Sequence, residues 1–403
     1  MTDTSKLAAY NPLDPAAVAN PYVVYARYRS VSPIHRSVTG PWYVFSYALC
    51  TDILRDPRFT SDPRRARGEQ APAPQHAAYI HYEYENMLRR DAPDHTRLRN
   101  LIGRAFTVRM TEGLRPRIAA IADQLIDDVL PQGGMDLIAD LALPLPMLVI
   151  SELLGVPTTD RQLLKRWSKG LFEALDAYMP EDEDAVLTRA AQAASEFGAY
   201  LRDLIALRRS TPGSDLFSEL VRLEEQGDRL SESELVSMAM LLLSAGHETT
   251  TNLIGNGVLA LLEHADQLAT LRYAPDLIDS AIEEILRFDS PVQLFARWAL
   301  DDLTVAGQAI ERGQMIVLVI GSANRDPAAF IDPDHFDITR SERRALSFGQ
   351  GAHYCLGAPL ARVQGQVAIA KLLKRIPNLA ASHPPNWNGS PVFRGLKTLP
   401  LVW

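Results

Sequence analysis

The chain has 403 residues, 47% of them hydrophobic and 22% charged, which is ordinary globular usage with enough apolar material for a sizeable core. Its 41 basic and 49 acidic side chains leave a net charge of −8, which argues against a nucleic-acid binder. Only two cysteines, Cys50 and Cys355, are present, so no disulfide framework is implied and a reducing compartment fits.

Residues 1–20 are polar and proline-bearing, with neither the apolar stretch of a secretory signal nor a membrane span, which points to a cytoplasmic protein. Trp42-Tyr43-Val44-Phe45 is an aromatic and β-branched run of the kind that forms a strand. Tyr47 to Arg55 reads as a short helix, and Ser61 to Gln75, rich in Pro, Arg and Ala, as a loop. Asp94-His95-Thr96-Arg97-Leu98-Arg99 puts His95 and Arg99 four apart, hence on one helix face, where two donors suit a carboxylate or form an ordinary surface pair. Helical periodicity then dominates up to Asn256, including Pro116 to Leu130, Pro144 to Leu154, Gln162 to Ala177 and Asp184 to Arg209. The last two are separated by Met179-Pro180-Glu181-Asp182-Glu183, a solvated acidic turn compatible with a helix-loop-helix lid.

Ser231 to Leu262 reads as one unusually long helix, opened by the capping-box pattern Ser231-Glu232-Ser233-Glu234. Midway along it stands Ala245-Gly246-His247-Glu248-Thr249-Thr250, where a helical glycine costs about 1 kcal/mol relative to alanine. Gly246 either leaves room for a flat cofactor and a small ligand or makes a packing notch, and Thr249 can bond an upstream carbonyl and bend the helix. Glu284-Ile285-Leu286-Arg287 is an i, i+3 acid-base pair, and Met315 to Ile320 begins a region of short β-rich stretches. The whole reads as mainly α with small β-sheets.

Near the C-terminus comes Phe348-Gly349-Gln350-Gly351-Ala352-His353-Tyr354-Cys355-Leu356-Gly357. Gly349 and Gly351 allow a tight turn that lies close to a flat macrocycle, His353 offers a donor, and Cys355 a sulfur. The run Ala358-Pro359-Leu360-Ala361 opens a helix, so Cys355 sits at a helix N-terminus, where amides and the macrodipole favour a thiolate. A lone cysteine is most often just core. With Phe, His and three glycines at these offsets, a ligand is the better reading.

This decapeptide resembles the heme-thiolate loop of the cytochrome P450 family, soluble bacterial type. Residues 245–250 resemble the family's oxygen-activation motif, and Glu284, Arg287 and Arg340 its Glu-x-x-Arg and distant arginine. Asn324-Arg325-Asp326-Pro327 and Phe330-x-x-Pro333-x-x-Phe336 also fit, so the likeness runs from about Asp91 to Trp403, with a weaker match upstream. The resemblance implies a P450 fold, one domain over residues 1–403 with no fused reductase, so that electrons would come from elsewhere, and with heme b held between the long distal helix and the proximal cysteine loop. It implies Cys355 as axial thiolate, and Phe348, Gly349, Gly357, Ala245 and Gly246 around the heme. His95, Arg99, Arg297 and His353 would be the propionate donors, and Glu284, Arg287 and Arg340 scaffold. Thr249 would hydrogen-bond the oxygen ligand or its water, and Glu248 would relay protons, making both catalytic.

A substrate would touch residues 78–88, the lid near Leu171 to Tyr178, Leu241, Leu242, Ala245, Val292, Gln293, Leu294, Phe295, Val392 and Phe393. Gln293 is the one polar candidate in a mainly hydrophobic pocket. Arg97, Arg104, Arg109, Arg343, Arg344 and Arg362 would approach the proximal side and either dock an acidic ferredoxin or be scattered surface charges. Gln364, where the family often has glutamate, and Gln350 are small departures away from the iron. The implied activity is a monomeric monooxygenase of a hydrophobic small molecule, using O2 and NAD(P)H electrons through ferredoxin and its reductase. A non-catalytic heme-thiolate sensor and a peroxide-driven hydroxylase are the rivals, and Glu248-Thr249 favours the oxygen route over both.

Overall fold

The structure is a computed structural model that describes residues 7–175, 183–213, 215–225, 230–342 and 344–403. Helices make most of it, with the sheets set to one side.

A five-stranded sheet has the order β1-β2-β5-β4-β3, built from β1 (Ile34–Arg36), β2 (Trp42–Val44), β3 (Phe59–Thr60), β4 (Leu294–Ala299) and β5 (Met315–Val319). Strands β2 and β5 run parallel, while β4 is antiparallel to both β5 and β3. Its register sets Arg297 of β4 opposite Ile316 and Phe295 opposite Leu318. Phe295 and Arg297 are two apart and so leave the same face of the sheet.

Ten helices position the site: α1 (Tyr47–Arg55), α2 (Ala77–Glu85), α3 (Asp94–Ala105), α4 (Arg115–Val129), α5 (Pro144–Leu153), α6 (Arg161–Leu175), α7 (Glu183–Ser210), α8 (Glu232–Glu263), α9 (Ile278–Phe288) and α10 (Ala358–Arg375). The 32-residue α8 runs through the centre, packed by α2, α5, α6, α7, α9 and α10. Its many buried apolar residues are what a helix packed on most of its sides requires. The expected capping box is complete, with Ser231 accepting from the Glu234 amide at 3.1 Å and Glu234 accepting from the Ser231 amide at 3.0 Å.

One local expectation fails. Residues 61–75 are not all loop, because Asp62 caps the Arg64 amide and seeds a short helix, Pro63–Arg67, with proline at its first turn. The tail of the predicted helix to Ala177, Tyr178 and residues 179–182 lie outside the described residues, as does Arg343. No described helix is long and apolar enough to cross a membrane.

Candidate active site

The cysteine loop is built as its glycines suggest. Gly349 and Gly351 have φ of +70° and +73°, and a Cβ on Gly351 would lie 2.9 Å from the Leu54 carbonyl oxygen of α1. The turn closes with the Cys355 amide donating to the Phe348 carbonyl at 2.9 Å. Gly357 has φ −80° and therefore needs no special conformation; its missing side chain keeps space 3.9 Å from Cys355 Sγ. Arg362 lies over the Phe348 ring at 4.6 Å.

Cys355 is solvent-accessible although protein surrounds it. These two observations agree if the sulfur faces an internal hollow. Burial pushes its thiol up, against the Gly357 and Ala358 amides and the charge of Arg99 and Arg362. The helix start supplies the expected donors, but they do not outweigh burial; a thiolate here needs a cation beside it.

Ala245 is exposed midway along α8, among neighbours that are largely buried. A Cβ on Gly246 would come within 3.2 Å of Ile150 on α5, so its missing side chain lets the two helices pack closely, the packing notch the sequence also allowed. Thr249 Oγ1 donates to the Ala245 carbonyl at 3.1 Å, the predicted back-bond. Thr250 and Thr251 repeat it to Gly246 and His247, at 3.3 and 2.9 Å, so three consecutive residues pull back on one stretch of α8. Glu248, 37% exposed, lies 3.9 Å from Nε2 of the buried His247, whose Nδ1 is 3.0 Å from the Leu243 carbonyl. Burial holds His247 below the usual imidazole range despite the carboxylate.

Four cationic or basic groups, His95, Arg99, Arg297 and His353, cluster beside the cysteine loop. His95, on α3, is 3% exposed and its ring lies 4.1 Å from that of His353. Burial, then His353 and Arg99, lower His95 to about 4. Arg297 is deeply enclosed, hydrogen-bonds only the adjacent Ala296 carbonyl at 2.8 Å, and is pushed by burial down to about 10. Neither Arg297 nor Arg99 has a carboxylate partner among the described residues. The one acid present is Asp91, 3.8 Å from His353 and 2.7 Å from Arg65, with a further hydrogen bond from Thr60. Burial raises the Asp91 carboxyl, but hydrogen bonds from His353, Thr60, Ser61 and Arg65 outweigh it and hold it well below its usual range. Sequence reading gave Asp91 no role; only the fold brings it beside His353. Two guanidiniums and two imidazoles against one carboxylate leave room for added negative charge, which two propionates would supply. The donor set fits heme.

Behind the loop, Arg287 meets Glu284 through two bonds of 2.7 Å, Arg340 adds a third to Glu284 at 3.1 Å, and Arg287 also donates to the Asn324 and Pro333 carbonyls. Asn324, not singled out beforehand for a role, ties Ser290, Ser347 and the Leu346 amide together at 2.7–2.9 Å.

The proposed pocket wall divides. Leu241, Leu242, Val292, Phe295 and Phe393 are half-buried, and Phe172 of α6 rests on Phe393 at 4.9 Å. Leu294 and Val392 are instead in the aromatic cluster around Tyr10 and Phe45. Gln293 is 1% exposed, donates to Ser290 and Tyr22, and is pressed against Gly321, so it is structural rather than the pocket's polar group. The expected basic face also thins. Arg97 turns to Asp94 and to Glu234 of α8, and Arg362 pairs with Glu283 at 2.5 Å. Arg109 and Arg344 are exposed; the Arg104 side chain is outside the description.

Residues 274–378 match the sequence model described as Cytochrome P450. The chain is 43% identical over 394 residues to the polyketide biosynthesis cytochrome P450 PksS of Bacillus subtilis, covering 95% of each chain. It is 44% identical to the cytochrome P450 monooxygenase PikC of Streptomyces venezuelae, covering 96% of this chain and 91% of that one. Among solved structures, P450BioI in complex with an acyl carrier protein bearing hexadec-9Z-enoic acid superposes with a TM-score of 0.91 at 40% identity, covering 97% and 100%.

Proposed function

The chain belongs to the cytochrome P450 family of monooxygenases, and from that premise we propose that it inserts one oxygen atom of O2 into a C–H or C=C bond of a mainly hydrophobic small molecule. It would act as one P450 domain, with electrons delivered by a separate ferredoxin and its reductase. The observation that carries the reading is the cluster of Arg297, His95, Arg99 and His353, with Asp91 as its single carboxylate, beside the Cys355 loop. Bound heme would supply oxygen activation, with thiolate ligation favouring O–O cleavage.

The chain's own groups divide the remaining tasks. Cys355 Sγ would be the axial ligand, and His95, Arg99, Arg297 and His353 would neutralise the two propionates. Thr249 Oγ1 has its proton on the Ala245 carbonyl, 3.1 Å away; rotating that hydroxyl toward the hollow makes it a donor. Glu248 keeps solvent contact and can replace the proton. This pair supports the oxygen-and-electron route over a sensor or a peroxide-driven enzyme.

Leu241, Leu242, Val292, Phe295 and the Phe172–Phe393 contact support an apolar substrate. Relatives named for polyketide biosynthesis or solved with an acyl carrier protein make acyl and polyketide chains, free or carrier-bound, the first classes to test. Exposed Arg109 and Arg344 are the cations left for an acidic ferredoxin. A ferric Soret titration against free acids, macrolactones, terpenoids, aromatics and acyl-carrier conjugates tests the substrate claim. A saturable low-to-high-spin shift with an acyl or polyketide compound supports it; a shift confined to another class contradicts it.

A further inference from the structure

A second hollow, of about 260 Å³, lies between α2, α7 and the first turns of α8, and no residue assigned to the heme or substrate lines it, apart from Ala78 and His81–Tyr82 at the edge of the 78–88 stretch. Its floor is apolar: Tyr82, Ala194, Val236 and Met240 are buried or nearly so. The space exists because α7 turns its small residues inward, Ala194 and Gly198 being one turn apart.

Arg202, one turn further along α7, folds back over Gly198. A Cβ on Gly198 would meet its Nη1 at 3.4 Å and Nη2 at 3.7 Å, beside Val236 Cγ1 at 3.7 Å. The guanidinium of this exposed residue lies at the rim of the hollow, and no carboxylate among the described residues pairs with it. The nearest acid on the lining, Glu232, is engaged by Arg209 at 3.0 Å. His81 Nε2 and Ser233 Oγ, 2.7 Å apart, complete a polar mouth.

We propose that this hollow is a second ligand site, which takes a medium-chain carboxylate: the alkyl chain on Tyr82, Val236 and Met240, the carboxylate in the fork of Arg202. A guanidinium presents paired N–H donors that match a carboxylate, and a volume of roughly nine water-sized groups suits about eight carbons. Met240 directly precedes Leu241, so α8 lines both this hollow and the proposed substrate pocket, and Ala78, His81 and Tyr82 of α2 border both.

The test is calorimetric titration of octanoate into the heme-loaded full-length protein with its iron pocket saturated by an azole. One saturable site that persists under azole is expected, weakened at least tenfold by Arg202→Glu and abolished by Ser195→Trp, which plugs the mouth from an exposed position. Azole affinity should be unchanged in both variants. Octanoate binding that disappears when the azole is present, or that survives Arg202→Glu unchanged, overturns the proposal.

Discussion

Glu284 and Arg287 are 3% and 1% exposed and joined by two hydrogen bonds of 2.7 Å, a fully buried ion pair with Arg340 as its third member. Such a pair is costly to break singly, because the survivor stays buried and charged. Arg287→Ala should destabilise the protein by about 3–5 kcal/mol in denaturant unfolding. A loss below about 1 kcal/mol would mean the triad does not hold the segment behind the cysteine loop.

Arg297 makes the opposite prediction for the heme-free protein. Without heme, burial outweighs the attraction of Asp91 and holds Arg297 down to about 10, so Arg297→Leu should leave the heme-free fold as stable or more stable. Heme retention should fall by about 1.5–3 kcal/mol, roughly ten- to a hundredfold faster transfer of heme to an acceptor globin. Equal losses in both forms would assign Arg297 to the scaffold.

How far the sequence could be read is clearest at these residues. Local signals were enough for α8, its capping box and the two positive-φ glycines, because caps and turns depend on neighbours in the chain. The Glu284–Arg287 spacing was visible, but not that Asn324 and Asp91 join the site, since both act across long sequence separations. Ile150, for which Gly246 makes room, was out of sight for the same reason, being on another helix. Arg97 looked like a docking charge until α8 placed Glu234 beside it.

The two thiols should differ sharply. Cys50 is fully buried, its thiol pushed far up by burial, whereas Cys355 faces the hollow. Heme-free native protein should therefore react with one equivalent of an aromatic disulfide reagent, and heme-loaded protein with none. Two equivalents from the native heme-free form would place Cys50 elsewhere than in the sheet-side core.

Thr249→Ala removes the hydroxyl that bonds the Ala245 carbonyl. Heme and substrate binding should persist while reducing equivalents drain to peroxide or water instead of product. Unchanged coupling of NAD(P)H to product would refute the proton-relay assignment.

The most direct test of the account is the absorption spectrum of the reduced carbon monoxide complex in the wild-type protein and in Cys355→Ser. The account predicts a red-shifted, thiolate-type Soret band in the wild type and its loss in the variant. A thiolate-type band that survives the substitution would contradict Cys355 as the ligand and the site built around it.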